Sequence, residues 1–202
     1  MNRHSTQPRL NRRATFAAGW AVLTAVAAAA CSGGDAATTS AQQPAAAVAS
    51  GGGAQVFGGT DIAWIEITIA MDEQLLPLLA LVPTHSSNAQ LKALIGEVTA
   101  THQQELGTLR ALHDEAKLPA ENPHEGMPMP GMVTPEQVTA AAAQNGPAFD
   151  KLVVTQLKAH LDQGVNLAGS EGKAGVEPRT KKLAENVLSS RRTYLSRLAE
   201  FD

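Results

Sequence analysis

The chain has 202 residues, enough for one domain with a hydrophobic core and too few for two large domains. It is rich in alanine and contains only two Trp, one Tyr and four Phe, which favours closely packed helices over a β-sandwich. Four of the 16 basic residues precede Cys31, so 12 basic and all 19 acidic residues follow it. The resulting net charge of −7 argues against nucleic-acid binding, because phosphate groups repel an acidic domain. The single cysteine excludes an internal disulfide.

Residues 1–31 have the pattern of an export signal. Arg9, Arg12 and Arg13 precede the uncharged apolar run 16–30, which is shorter than the ~20 residues that span a bilayer. This length predicts a cleaved leader and not a permanent transmembrane helix. The Arg12–Arg13 pair leaves the twin-arginine route open as an alternative to general secretion.

Cys31 follows a run of small residues, an arrangement similar to the lipobox of bacterial lipoproteins. We therefore expect Cys31 to carry lipid and to anchor the protein to a membrane outside the cytoplasm. Ala28 stands where leucine is usual, so simple cleavage to a secreted protein is the alternative. Residues 32–58 are mainly Ala, Gly, Ser, Thr and Gln and predict a disordered tether, which leaves 59–202 as the folded domain.

Apolar spacing predicts four long helices in the domain. The first covers 60–82, with Pro77 expected to bend it, and the second covers 88–117 after a turn at 83–87. Thr134, Pro135 and Gln137 predict the capped start of a short helix that ends near 145–146. The last two long helices are predicted at 148–167 and 178–201.

The two halves of the domain resemble each other. Adding 89 to a residue number in the first half gives a similar residue in the second: Asp61 corresponds to Asp150, and Val98 to Val187. A constant offset across a helical hairpin indicates an internal duplication. Two such hairpins predict an all-α, four-helix bundle, with 120–145 as a long crossover that contains the short helix.

The apolar stripes are interrupted near their centres by one methionine and several polar residues: Met71, Asp72, His102, Glu105, His160, Arg191 and Tyr194. A buried carboxylate or imidazole must be paired or bind something. One interpretation is a hydrogen-bonded layer in which His160 pairs with Glu105 or Asp72 and Tyr194 closes the set. The other is a mononuclear metal site. A di-iron site would need about four carboxylates and Glu-x-x-His spacing on the bundle helices; the predicted helices contain no such spacing, so no catalytic centre is predicted.

A second candidate site is the Met/His loop, residues 124–132, with the potential ligands His124, Met127, Met129 and Met132. Proline and glycine prevent these methionines from forming a helical core stripe. Thioether and imidazole groups are soft ligands that suit Cu(I), and Ag(I) by the same argument. The alternative is that the methionines only pack the loop against the bundle.

The loop, followed by Thr134, Pro135 and Glu136, resembles the His-Gly-Met-Pro-Gly-Met-x-Thr-x-Glu signature of the bacterial family known as domain of unknown function 305. Phe149 and Asp150 also match that family, and the resemblance covers about 61–201. It implies a ferritin-like four-helix bundle of two hairpins, often on lipoproteins. It also implies a link to extracytoplasmic copper for some members, without a general activity.

The sequence departs from this family where paired histidines are usual. Met71-Asp72 replaces the first pair, and only His160 remains of the second. The family's Gln-x-x-Glu pattern is present as His102-x-x-Glu105 and lost at residues 191–194. The resemblance therefore implies a partial core site, and it makes the loop methionines the better copper ligands.

Three hypotheses for function follow. The first is an exported, lipid-anchored module that binds a copper-type metal through the Met/His loop. The second is an interaction or structural module of the cell envelope, which would bind another envelope protein. A ferritin-like oxidoreductase ranks last, because its ligand set is incomplete.

Overall fold

Four long helices make up most of the computed structural model, which describes residues 56–201. The helices are α1 (Gly59–Leu79), α2 (Val82–His85), α3 (Ala89–Glu115), α4 (Pro135–Ala142), α5 (Gly146–Ala174) and α6 (Pro178–Leu198), and a 3-10 turn follows at Ala199–Phe201. Within 56–201, no helix is long and apolar enough to cross a membrane. The predicted leader, Cys31 and most of the predicted tether lie outside the described residues.

The long helices form two hairpins. Helix α1 packs against α3, α5 packs against α6, and α1 also packs against α5 to join the hairpins. Adding 89 to the first residue of α3, Ala89, gives Pro178, the first residue of α6. The predicted all-α bundle of two similar hairpins is confirmed, with α4 inside the crossover.

Side-chain caps define where α3 and α4 begin. Asn88 Oδ1 accepts hydrogen bonds from the N–H groups of Gln90 and Leu91, at 3.0 and 3.1 Å. The predicted capping box of α4 is present: Thr134 Oγ1 accepts from Gln137 N–H at 3.3 Å, and Gln137 Oε1 accepts from Thr134 N–H at 2.8 Å. These bonds satisfy backbone donors that lack a partner within the helix.

Several predicted boundaries were wrong, including the end of α1, which is at Leu79 and not at 82. The segment 83–87, expected to be a turn, contains most of α2, in whose first turn Pro83 is accommodated because that position needs no N–H donor. Helix α4 ends at Ala142, before residues 145–146. Helix α5 begins at Gly146 and continues to Ala174, past the expected end at 167. Glycines weaken its last turns, but Ala168 and Glu171 are buried there, and packing outweighs propensity.

The hydrophobic core has two large clusters of buried residues and a third small one around Met71. Most residues of the largest cluster lie on three long helices: Leu75, Leu78 and Leu79 of α1, Leu91, Leu94, Ile95 and Val98 of α3, and Phe149, Val153, Val154, Leu157 and Leu161 of α5. The second cluster includes Trp64, Ile65 and Ile69 of α1 and Leu106, Leu109 and Leu112 of α3. Between the two sets, each long helix contributes at least one buried polar residue. The core is thus two apolar compartments with a polar level between them.

Candidate metal centre

Five buried polar side chains form the level between the two apolar clusters, hereafter the polar layer: Asp72, His102, Glu105, His160 and Arg191. Each of them is at most 6% exposed. Helix α1 supplies one member, α3 two, and α5 and α6 one each. All five interrupt the apolar stripes in the sequence, and the bundle places them at one level.

Asp72, His102 and His160 bring three donor atoms together, and we refer to them as the His/Asp centre. The Nε2 atoms of the two histidines lie 3.2 Å apart. Asp72 Oδ1 lies 3.4 Å from His160 Nε2 and 3.8 Å from His102 Nε2. Each atom is therefore close to both of the others.

The backbone fixes the tautomers in this centre. His102 Nδ1 lies 2.8 Å from the carbonyl oxygen of Val98, which can only accept, so we assign the proton to Nδ1 and a free lone pair to Nε2. In the metal-free layer His160 Nε2 faces two acceptors, His102 Nε2 and Asp72 Oδ1, and carries a proton. To bind a metal through Nε2, His160 would carry that proton on Nδ1 instead. A backbone carbonyl that orients an imidazole through its second nitrogen is typical of metal-binding histidines.

Burial keeps both imidazoles neutral. It lowers the pKa of His102 to about 3, and the Arg191 guanidinium acts in the same direction. Burial also lowers the pKa of His160, against the opposing effect of Asp72. For Asp72, burial would raise the pKa, but the hydrogen bond from His160 and the Arg191 guanidinium hold the pKa below its usual range. At neutral pH the centre therefore presents one carboxylate and two neutral imidazoles.

Arg191 is the cation of the polar layer. Its guanidinium donates to both carboxylate oxygens of Glu105, at 2.6 and 3.1 Å, and its Nη2 also lies 3.4 Å from Asp72 Oδ1. The sequence placed Arg191 among the interruptions of the apolar stripes and at a position where the family pattern is lost, but no ion pair was predicted for it. The available signal was an arginine at bundle spacing between Val187 and Leu198, both buried.

The hydrogen-bonded arrangement differs in part from the predicted one. His160 faces Asp72, which was one of the two predicted partners, whereas Glu105 pairs with Arg191. Tyr194 does not close the set. Its hydroxyl lies 2.6 Å from Thr101 Oγ1 and donates to the Glu97 carbonyl at 3.4 Å, because Tyr194 is one helical turn beyond Arg191.

The Met/His loop lies against α1 and α5. Met129 and Met132 pack against Met71 of α1, and we refer to these three residues as the thioether cluster. Met127 is 44% exposed, and His124 Nε2 lies 4.0 Å from Glu66 Oε2. The four predicted loop ligands are thus spread along the loop, and the structure adds Met71 to the buried Met132 and the partly buried Met129.

Two features hold the loop in place. The Gln74 amide, oriented to satisfy both neighbours, donates to the Val133 carbonyl at 3.0 Å and accepts from Gly126 N–H at 3.2 Å. Gly131 has a positive φ of 76°, and a β-carbon there would lie 2.6 Å from the Ala159 carbonyl oxygen. The loop backbone therefore touches α5 one residue before His160.

The residues of the His/Asp centre fit a transition-metal ion. Ligands of a tetrahedral metal with bonds of about 2.0–2.1 Å lie about 3.3 Å apart, close to the separations of 3.2, 3.4 and 3.8 Å found here. Asp72 Oδ2 and His160 Nδ1 are buried without a hydrogen-bond partner among residues 56–201. A cavity of about 10 Å³ is lined by Asp72 and His160 together with Met71 of the thioether cluster.

Comparisons with known proteins agree with this fold. A DUF305 protein from Streptomyces coelicolor, presumed secreted, has a TM-score of 0.63 and 18% identity, covering 70% of this chain and 90% of that one. A DUF305 fragment from Deinococcus radiodurans has a TM-score of 0.63 and 12% identity, over 71% and 95% of the two chains. CopM in the Cu(I)-bound form has a TM-score of 0.58 and 17% identity, over 70% and 94%.

A comparison with curated proteins found no match. The sequence profile of the family described as "Domain of unknown function (DUF305)" matches residues 61–201, which include all the long helices except the first two residues of α1. The resemblance drawn from the Met/His loop is therefore confirmed, and this chain belongs to the DUF305 family.

Proposed function

We propose that this domain binds a copper-type metal ion outside the cytoplasm. The observation that carries the proposal is the convergence of three donor atoms, from Asp72, His102 and His160, at separations that a single metal ion requires. The Cu(I)-bound form of CopM has a similar fold, which supports copper as the metal. The proposal assigns no reaction to the site.

The thioether cluster supports a soft metal over a hard one. Met71 lines the same small cavity as Asp72 and His160, and it packs against Met129 and Met132 of the loop. Thioether sulfur favours Cu(I) and Ag(I) and binds Mg²⁺ or Ca²⁺ poorly. We propose that the loop methionines take up the ion and that the His/Asp centre holds it.

The location of the domain is part of the same proposal. Cys31 after an apolar leader supports lipid anchoring at a membrane surface, with secretion as the alternative. The Streptomyces coelicolor neighbour is presumed secreted, which agrees with an extracytoplasmic domain. Labelled palmitate incorporated into the chain, and lost on Cys31→Ser, would establish the anchor, whereas equal labelling of both proteins would exclude Cys31.

Metal binding is tested with the full chain in a Cys31→Ser background, so that a free thiol does not contribute. Cu(I) is titrated under reducing conditions against a chromophoric chelator. We expect one tightly bound Cu(I), and at least tenfold weaker binding in His102→Gln and in His160→Gln, because each substitution removes one of three protein ligands. Replacing Met127, Met129 and Met132 with leucine tests the loop and nearly preserves side-chain volume.

His113→Gln on α3 is the matched control, since His113 lies outside the polar layer and beside Asp114. It should bind Cu(I) as the parent does. Failure of the parent to compete with a micromolar chelator would overturn the proposal and leave the envelope-interaction hypothesis. Unchanged binding in both His102→Gln and His160→Gln, with loss in the loop variant, would move the site to the loop alone.

A further inference from the structure

The polar layer has a net charge that follows from counting its two carboxylates, two imidazoles and one guanidinium together. Asp72 and Glu105 are carboxylates, Arg191 is a cation, and the two imidazoles are neutral when their Nε2 atoms serve as ligands. Burial raises the pKa of Glu105 and the guanidinium opposes this effect. Glu105 accepts both arms of the guanidinium at 2.6 and 3.1 Å, which is the geometry of an ionised carboxylate with arginine. The layer without metal therefore carries a net charge of −1, buried between two apolar clusters.

A buried net charge is costly, and a bound ion that neutralises it is favoured. A monovalent ion brings this layer to zero, whereas a divalent ion brings it to +1. In a medium of low dielectric constant that remaining charge is expensive, because little solvent reaches residues that are at most 6% exposed. The geometry of the His/Asp centre suits zinc as well as copper, so geometry alone does not choose between the two.

We propose that Arg191 is a specificity-determining residue that sets the charge of the buried centre to match a monovalent soft ion, Cu(I) or Ag(I), against divalent ions such as Zn²⁺. Its position supports this role. Arg191 Nη2 lies 3.4 Å from Asp72 Oδ1, the oxygen that faces both histidines, so the guanidinium charge acts directly on the ligand set. The inference rests on the proposed function and adds the basis of its selectivity.

Glu105 is the second carboxylate of the polar layer, and its availability depends on Arg191. Arg191 Nη2 lies 2.6 Å from Glu105 Oε2 and 3.4 Å from Asp72 Oδ1, so the same nitrogen joins the two carboxylates, and Arg191 holds both oxygens of Glu105. Removing the guanidinium would lower the layer charge to −2 and release Glu105. Two carboxylates and two imidazoles form a ligand set that suits Zn²⁺.

Three variants in the Cys31→Ser full chain separate charge from shape. Arg191→Gln gives a layer charge of −2, Glu105→Gln gives 0, and the double variant returns the charge to −1. Affinities for Cu(I) and Zn²⁺ are measured separately, each against a chromophoric chelator, and expressed as a ratio. We expect Arg191→Gln to shift the ratio toward Zn²⁺ by about tenfold or more, and Glu105→Gln to weaken Cu(I) binding by about tenfold.

The double variant is the decisive case, because it changes both side chains and restores the parental charge. Its Cu(I)-to-Zn²⁺ ratio should return to within a few-fold of the parental ratio. Arg197→Gln, which breaks the exposed pair with Glu97, is the control and should leave the ratio unchanged. Circular dichroism and urea unfolding check that each variant is folded, and the Glu105→Gln and double variants still test the proposal if Arg191→Gln alone is unfolded.

The outcomes distinguish this inference from the proposed function. A parent that binds neither ion overturns the proposed function itself. A parent that binds Cu(I), together with an Arg191→Gln variant or a double variant whose ratio does not follow the layer charge, overturns the role of Arg191 and leaves metal binding intact. Equal ratios in all four proteins would have the same meaning.

Discussion

Asp61 and Glu171 are two fully buried carboxyl groups at the start of α1 and near the end of α5. Asp61 accepts hydrogen bonds from the N–H groups of Gly58, Val176 and Glu177, at 2.6, 3.0 and 3.1 Å. These bonds, with Glu171, hold the pKa of Asp61 below its usual range although burial opposes them. Burial raises the pKa of Glu171 to about 8, and the Asp61 carboxylate adds to this effect. At neutral pH Asp61 is therefore ionised and Glu171 keeps its proton.

The pair makes stability fall as pH rises from about 4.5 to about 8. The folded protein retains a proton on Glu171 that the unfolded chain releases near pH 4.5, so this contribution is complete below 4.5 and is lost as pH rises through about 8. We expect the urea midpoint to fall between pH 6 and pH 9, and Glu171→Gln to flatten that slope. Lys181 opposes the shift and Glu177 reinforces it, so both remain unchanged in the test.

Glu185→Gln serves as the control, because Glu185 is exposed and pairs only with Lys182 across one helical turn. It should keep the parental slope. A Glu171→Gln protein with the same slope as the parent would show that another group causes the pH dependence.

At the scale of elements, the Met/His loop depends on two glycines with positive φ, Gly126 at 70° and Gly131 at 76°. A β-carbon at Gly126 meets nothing within 4 Å, whereas one at Gly131 meets the backbone of α5. The two positions therefore share the same backbone cost for alanine, about 1–2 kcal/mol, and differ only in the contact.

This difference predicts unequal effects of alanine. Gly131→Ala should displace the loop from α5 and expose Met132, which is 5% exposed in the parent. Peroxide oxidation of Met132, followed by mass spectrometry, should then approach the rate of the exposed Met127 in the same protein. Gly126→Ala should leave Met132 protected, and equal oxidation of Met132 in both variants would contradict the contact with α5.

Local patterns predicted most elements but not how the loop meets the bundle. The seam of α3, from Leu91 to Leu112, is buried at the expected positions, because spacing by three and four reports one helical face directly. The cap at Thr134 was predictable because capping chemistry is contained within four residues. The packing of Met132 on Met71 was not, since nothing in either segment specifies the other.

At the scale of the molecule, the polar layer separates two apolar compartments, and we expect its desolvated charges to lower the free energy of unfolding relative to an apolar layer. The pairing of Arg191 with Asp72 joins residues 119 positions apart, so only the assembled bundle reveals it. The correspondence between the two repeats predicted that these residues lie at one level of the bundle. It could not predict which side chains pair within that level, because those pairs depend on rotamers and packing.

An apolar layer should be more stable than the native one. Replacing Asp72, His102, Glu105 and His160 with leucine and Arg191 with methionine should raise the free energy of unfolding by about 1–4 kcal/mol, because five desolvated polar groups are removed together. Arg191→Met alone should instead cost about 3–5 kcal/mol, since it leaves Glu105 buried without its cation. Urea unfolding at pH 7 measures the free energy of unfolding of both variants. A variant with all five substitutions that is less stable than the parent would contradict this account.

Because both copies of the 89-residue repeat lie in one chain, equivalent positions of the two hairpins can carry different residues. His102 and Arg191 occupy equivalent positions in the two hairpins, as do Met71 and His160. If two separate copies of one hairpin formed the bundle, every substitution would occur twice. A histidine in one hairpin could then not have an arginine at the equivalent position of the other. Joining both hairpins in one chain lets equivalent positions diverge, so that one half supplies an electron pair where the other supplies a positive charge.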